Sequence, residues 1–405
     1  MRLQTSLDPA DTSGRPPCGR SLAALTRVAR EAGARATRPQ SATLSHNNWC
    51  TAVWLVESVC ATLVAALLLP VWAFAATIGT PANPVTAVAF HPGGELVSGG
   101  YGEVLVWDTV NAKLERRIAG LIGRVHGLAF SKDGARLAIA EGEPGRSGAI
   151  RLLDFATGNV LFTLDKEKDE CYAVAFSPDG KLVAGGAQDG TVKIWNAADG
   201  KLVNTLKELN GWVTGIAFSP DGKLMAASSM DRTAEVWVTN GWKPLTQLPE
   251  NPSGPVNAVA FSPDNSVLAL AIGSSDGGDT ERVVRFWRTE AADEPPNMTA
   301  QQATRRATLL HTTRPTDVGP GFPTGLAWSA AGAGSKVVRL LVSLSDKTVR
   351  VLNQNGGYLS AMGGDTDWVD SVAVNADGSR IASGSASGAV LIWNGSTGKL
   401  VATLK

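Results

Sequence analysis

The chain has 405 residues, 44% of them apolar, and its 37 basic and 37 acidic side chains cancel. Such a chain can bury a large core, and its zero net charge argues against a polybasic nucleic-acid binder. Cys18, Cys50 and Cys60 precede residue 80, so Cys171 alone remains downstream and no disulfide can form within that part.

Residues 1–80 carry seven arginines, no lysine and four acids. We read 1–50 as a basic disordered region. Residues 59–78 hold no charge, and the centre, Leu63-Val64-Ala65-Ala66-Leu67-Leu68-Leu69, is apolar enough to enter hydrocarbon as a helix. Ala73-Phe74-Ala75 fits the small-x-small pattern of a signal peptidase site, so 51–78 is expected to be a signal peptide or, uncleaved, a transmembrane anchor. Glu57, three residues before Cys60, argues against a lipidated cysteine. Because the basic residues all precede the apolar run, the downstream part is expected outside the cytoplasm, exported or membrane-anchored. Membrane contact is then confined to 51–78. Residues 20–44, rich in Arg, Ala, Ser and Thr, resemble a transit peptide and keep an organellar lumen as the alternative.

From residue 81 onward one unit recurs. Its opening segment reads Val85-Thr-Ala-Val-Ala-Phe90, Val125-His-Gly-Leu-Ala-Phe130, Cys171-Tyr-Ala-Val-Ala-Phe176, Val213-Thr-Gly-Ile-Ala-Phe218, Val256-Asn-Ala-Val-Ala-Phe261, Pro323-Thr-Gly-Leu-Ala-Trp328 and Val369-Asp-Ser-Val-Ala-Val374. A second segment, as in Val104-Leu-Val-Trp-Asp108 and Val192-Lys-Ile-Trp-Asn196, also recurs seven times. Between them stand turns such as Ser177-Pro-Asp-Gly180, where proline presets one φ and glycine accepts the positive φ that follows. A fourth apolar run, as in Leu400-Val-Ala-Thr-Leu404, completes a four-stranded antiparallel meander. The opening strands are apolar on both alternating sets, which suits sheets covered on both faces, and stacking the sheets around an axis supplies that cover.

The repeat resembles the WD40-repeat family. That resemblance implies an all-β fold, a seven-bladed β-propeller of four-stranded antiparallel blades over 81–405, preceded here by the hydrophobic helical signal or anchor segment. The Gly-His dipeptide common ahead of the family's first strand is absent from every repeat, and the terminal aspartate survives only at Asp108 and Asp154. Apolar packing of Trp107, Trp195, Trp237, Trp287 and Trp393 is expected to replace the family's His–Asp network. Each blade is contiguous in sequence, so no strand exchange between termini is expected unless 76–83 adds an outer strand.

Three histidines and one cysteine in the repeats are a thin supply for nucleophilic or metal catalysis, and no cofactor motif occurs. An enzyme is the least favoured reading. The favoured one is a non-catalytic scaffold that docks a protein or peptide partner, without cofactors and without nucleic acid. The resemblance places the residue just ahead of each first strand on one rim, at Pro84, Arg124, Glu170, Trp212, Pro255, Phe322 and Trp368. Arg124, Glu170, Trp212, Phe322 and Trp368 are the candidate contacts, since tryptophan and arginine combine large contact area with a polar handle. Enlarged rim loops are expected at 141–149 and 273–283, and an insertion at about 289–305. The alternative is a small-ligand or ion site in the central channel. It requires a polar ring near the axis, where the inward positions considered are Ala87, Gly127, Ala173, Gly215, Ala258 and Gly325.

Overall fold

The computed structural model describes residues 83–248, 253–274, 281–289, 307–329 and 338–405. The chain divides into two units, Met1–Ile78 and Gly79–Lys405. The first, where the basic region and the signal or anchor segment are expected, lies outside the described residues, as does most of the 289–305 insertion. No helix among the described residues is long and apolar enough to cross a membrane.

The described residues of the second unit form antiparallel strands, with one helical turn among them at Pro315–Val318. The first sheet has seven strands in sequence order: β1 (Ala87–Phe90), β2 (Leu96–Gly99), β3 (Tyr101–Asp108), β4 (Lys113–Phe130), β5 (Arg136–Glu143), β6 (Ser147–Asp154) and β7 (Val160–Glu167). The 18-residue β4 ends one meander and opens the next, turning at Gly120 and Gly123, both at positive φ. At Gly123 a Cβ would stand 2.2 Å from Gly142 O, so glycine is required.

Five four-stranded sheets follow. They are β8–β11 (Cys171–Phe176, Leu182–Ala187, Val192–Asn196, Leu202–Leu206) and β12–β15 (Val213–Phe218, Leu224–Ser229, Ala234–Val238, Lys243–Leu248). Next come β16–β19 (Val256–Phe261, Leu268–Ile272, Val283–Thr289, Ala307–Thr312), β20–β23 (Pro323–Ser329, Arg339–Leu344, Thr348–Asn353, Tyr358–Gly363) and β24–β27 (Val369–Val374, Arg380–Ser385, Val390–Asn394, Leu400–Leu404). This all-β arrangement of antiparallel sheets is consistent with a β-propeller.

The turns form as their residues dictate. In Ser177-Pro-Asp-Gly180 the serine Oγ bonds Asp179 at 2.6 Å and accepts Leu182 N at 2.9 Å, while Gly180, at φ 71°, returns its N–H to Ser177 O. Asn265 takes the same left-handed place at φ 61°, as asparagine tolerates. The expected loop at 141–149 is instead a continuation of the β5–β6 hairpin, paired to Glu143↔Ser147. Its buried Glu141 lies 2.6 Å from Arg151 and accepts Ile122 N at 2.7 Å, which lets charged residues extend a strand inward.

The core lies between sheets. Each opening strand, β1, β4, β8, β12, β16, β20 and β24, lies against the next, and β24 lies against β1. Val85, Val88, Leu96 and Trp107 pack there against Ala382, Val390, Ile392 and Leu404, and Val85 N donates to Ser385 O at 3.0 Å. The five repeat tryptophans are buried. Trp107 Nε1 finds Ser98 Oγ at 2.8 Å, while the Nε1 atoms of Trp237 and Trp287 meet no acceptor among the described residues, so these two act chiefly as apolar bulk.

Candidate functional site

The channel between the opening strands is built by a repeated irregularity. In β4, β8, β12, β16, β20 and β24 the register slips between the first and third residues of the opening segment, for example at Val125/Gly127 and Val369/Ser371. A bulge re-aims the residue it leaves unpaired. Those residues are His126, Tyr172, Thr214, Asn257, Thr324 and Asp370, and with Thr86 ahead of β1 they line a channel of about 210 Å³. The small third-position residues, Ala87 and Gly127 among them, line it too. Gly127 is confined: a Cβ there would stand 3.2 Å from Tyr172 O. The polar ring is legible in the sequence, since the second residue of every opening segment is polar or aromatic. Attention to the small third position alone misses it.

Most of this ring ties adjacent units together. Thr214 Oγ1 donates to Val256 O at 2.6 Å, Thr324 Oγ1 to Val369 O at 2.6 Å and Asn257 Nδ2 to Pro323 O at 2.7 Å; Thr86 Oγ1 donates to Val125 O in the same way. Each acceptor opens the next unit. Asp370 holds the corresponding place before Val85 and, as a carboxylate, has no proton to donate. Burial raises its pKa to about 6, helped by Asp367 and opposed by Arg124.

Five of the residues expected on the rim are held alike. The carbonyls of Glu170, Trp212, Pro255, Phe322 and Trp368 accept the backbone N–H of Gln188, Met230, Gly273, Ser345 and Ala386, each at the turn after the unit's second strand. Their side chains differ. Trp212 and Trp368 are 43% and 45% exposed. Phe322 is half-buried and meets Trp368 edge-on, with centroids 5.5 Å apart. Arg124 is exposed, and its charge acts on His126, Tyr172 and Asp370.

Glu170 points inward and is 6% exposed. Its Oε1 lies 2.8 Å from His126 Nε2, and its Oε2 accepts the Tyr172 hydroxyl at 2.6 Å. Burial lowers the His126 pKa despite this carboxylate, so the neutral ring presents Nε2–H as donor. Burial and Glu170 together raise the Tyr172 hydroxyl. Tyr172 in turn carries Trp212, stacked at 5.4 Å and 10°. Glu170 therefore positions aromatic groups instead of presenting a charge. Among the described residues no three His, Cys, Asp or Glu side chains are grouped as a metal ion would need.

The family model described as WD domain, G-beta repeat matches residues 73–108, 158–196, 200–238, 242–287 and 356–394. No curated protein matches the chain. The matched stretches include β1–β3, the whole of β8–β15 and the strands carrying Trp287 and Trp393.

Proposed function

Because the chain belongs to the WD40-repeat family, whose repeats indicate a protein-interaction scaffold, we propose that residues 81–405 form a closed seven-bladed propeller acting as a non-catalytic docking platform outside the cytoplasm. The partner is a protein or peptide held across the channel mouth, with Trp212 and Trp368 as anchors. The observation that carries this reading is that both tryptophans stay nearly half exposed while their backbones are fixed by adjacent turns. Rigid aromatic area of that kind gives contact at small entropic cost. His126 fits the non-catalytic reading, because its carboxylate partner is already engaged by the Tyr172 hydroxyl.

The extracytoplasmic assignment rests on the uncharged run 59–78 behind an arginine-rich start. Fractionation of the native host tests it, and recovery of the full-length chain in the cytosolic fraction would overturn it. The channel reading is weaker: the ring is polar, yet four of its side chains already donate to neighbouring units. For the docking reading, proteins bound in the native host are compared between the wild-type chain and a Trp212→Ala/Trp368→Ala variant. Loss of specific partners supports it, and an unchanged set removes it.

A further inference from the structure

In the recurring segment typified by Val104-Leu-Val-Trp-Asp108, the second residue, two before the tryptophan or its equivalent, decides what fills the space beside each unit's third strand. In β6 it is Arg151, whose Nη1 donates to Gly120 O of the preceding unit at 3.1 Å. In β10 it is Lys193, 2.7 Å from Asp165 of the preceding unit. Arg285 in β18 and Arg350 in β22 also pair with carboxylates, Glu281 and Asp346. Glu235 takes the place in β14. Only β3 and β26 carry an aliphatic side chain there, Leu105 and Leu391.

A leucine is shorter than an arginine or lysine and cannot span the same distance to a neighbouring sheet. Two successive units therefore leave room, and a cavity of about 670 Å³ is lined by both leucines. It passes Gly388 and Ala389 at the start of β26, whose side chains are too small to divide it. Val85 and Trp107 add apolar wall. Arg117 stands beside Leu105, its cross-strand partner, and Lys405 lines the cavity with Thr403, the partner of Leu391. The Arg117 side chain is 59% exposed and pairs with Glu103 at 2.7 Å.

We propose that this cavity binds a small amphiphilic anion, an unbranched aliphatic chain ending in a carboxylate. The volume lies within the range of small-ligand sites, and leucine, valine and tryptophan walls favour an aliphatic body. Two cationic side chains against the single carboxylate of Glu103 favour an anionic end group. At the other five third-strand positions a charged side chain stands instead. Neither Trp212 nor Trp368 lines this cavity, so the proposal does not depend on the docking reading.

Calorimetric titration of the full-length chain with decanoate, below its micelle-forming range, tests the proposal. Saturable one-site binding is expected, at least tenfold tighter than that of uncharged 1-decanol, and Arg117→Ala/Lys405→Ala should abolish the difference. Leu105→Arg copies the residue this chain uses in β6 and should remove binding while leaving the thermal transition in place. Should that variant fail to fold, Ala389→Met narrows the same cavity from the opposite sheet and should weaken decanoate at least tenfold. Absence of saturable binding, equal affinity for decanol, or wild-type affinity in the folded cavity-filling variant would each overturn the proposal.

Discussion

Trp212 lies flat on Tyr172, with ring centroids 5.4 Å apart and 10° between the planes. The Tyr172 hydroxyl donates to buried Glu170, so one inward carboxylate fixes the platform on which an exposed indole rests. In Glu170→Gln the amide oxygen accepts from His126 Nε2–H and the NH₂ faces Tyr172, whose hydroxyl turns to Gln188 Oε1 at 3.1 Å, so two short bonds to a carboxylate are replaced by weaker amide ones. A loss of about 1–3 kcal/mol is expected in chemical denaturation. Trp212 emission, read against a Trp212→Phe background, should shift to the red.

The threonines joining neighbouring units make a second, additive contribution. Thr214→Val and Thr324→Val keep shape but leave the carbonyls of Val256 and Val369 without those donors. Each substitution should cost about 1 kcal/mol in urea unfolding, and the double variant about the sum. A double variant as stable as the wild type would show that these bonds tie nothing together.

Asp370 stands where four of the other units place such a donor. Its pKa is raised to about 6 by burial and by Asp367, against Arg124, so the native state binds its proton more tightly than the unfolded chain does. The associated stability is present below about pH 4 and is lost as pH rises through about 6. Asp370→Asn supplies the amide that Asn257 uses and removes this loss. Since Asp370 is only partly buried, a gain of about 1–2 kcal/mol is expected at pH 8, and little at pH 4. A gain independent of pH would contradict the assignment.

Glu235 presents the same sign in a deeper place. It is 5% exposed, its pKa is raised to about 7 by burial, and the charges acting on it, Glu208 and Asp231, are both acidic. Its contribution is full below about pH 4.5 and is lost as pH rises through about 7. Glu235→Gln should therefore raise the denaturation midpoint at pH 8 by up to about 3 kcal/mol in free energy and leave it nearly unchanged at pH 4. Scanning calorimetry of both proteins across that range reads the difference directly.

Much of the fold was legible because each local signal had one physical outcome. Ser177-Pro-Asp-Gly180 can make little but a hairpin turn, and the opening segments, apolar on both faces, require sheets on either side. The site was legible in part. The exposure of Trp212 agrees with its place ahead of a first strand, whereas the inward turn of Glu170 depends on His126 and Tyr172, which alternation alone does not aim. The bulge that points Asp370 into the channel is a register slip, invisible to a strict period of two. The ion pair of Glu141 and Arg151 likewise turned an expected loop into paired strand.

The most direct measurement is the affinity of the full-length chain for a partner recovered from the native host, determined for the wild type and two double variants. Trp212→Ala/Trp368→Ala removes the rim aromatics, and Leu202→Ala/Val203→Ala removes comparably exposed apolar groups from an outer strand. Rim docking requires a loss of roughly a hundredfold in the first variant and almost none in the second. Equal affinity for wild type and rim variant, or the larger loss from the outer strand, would contradict it.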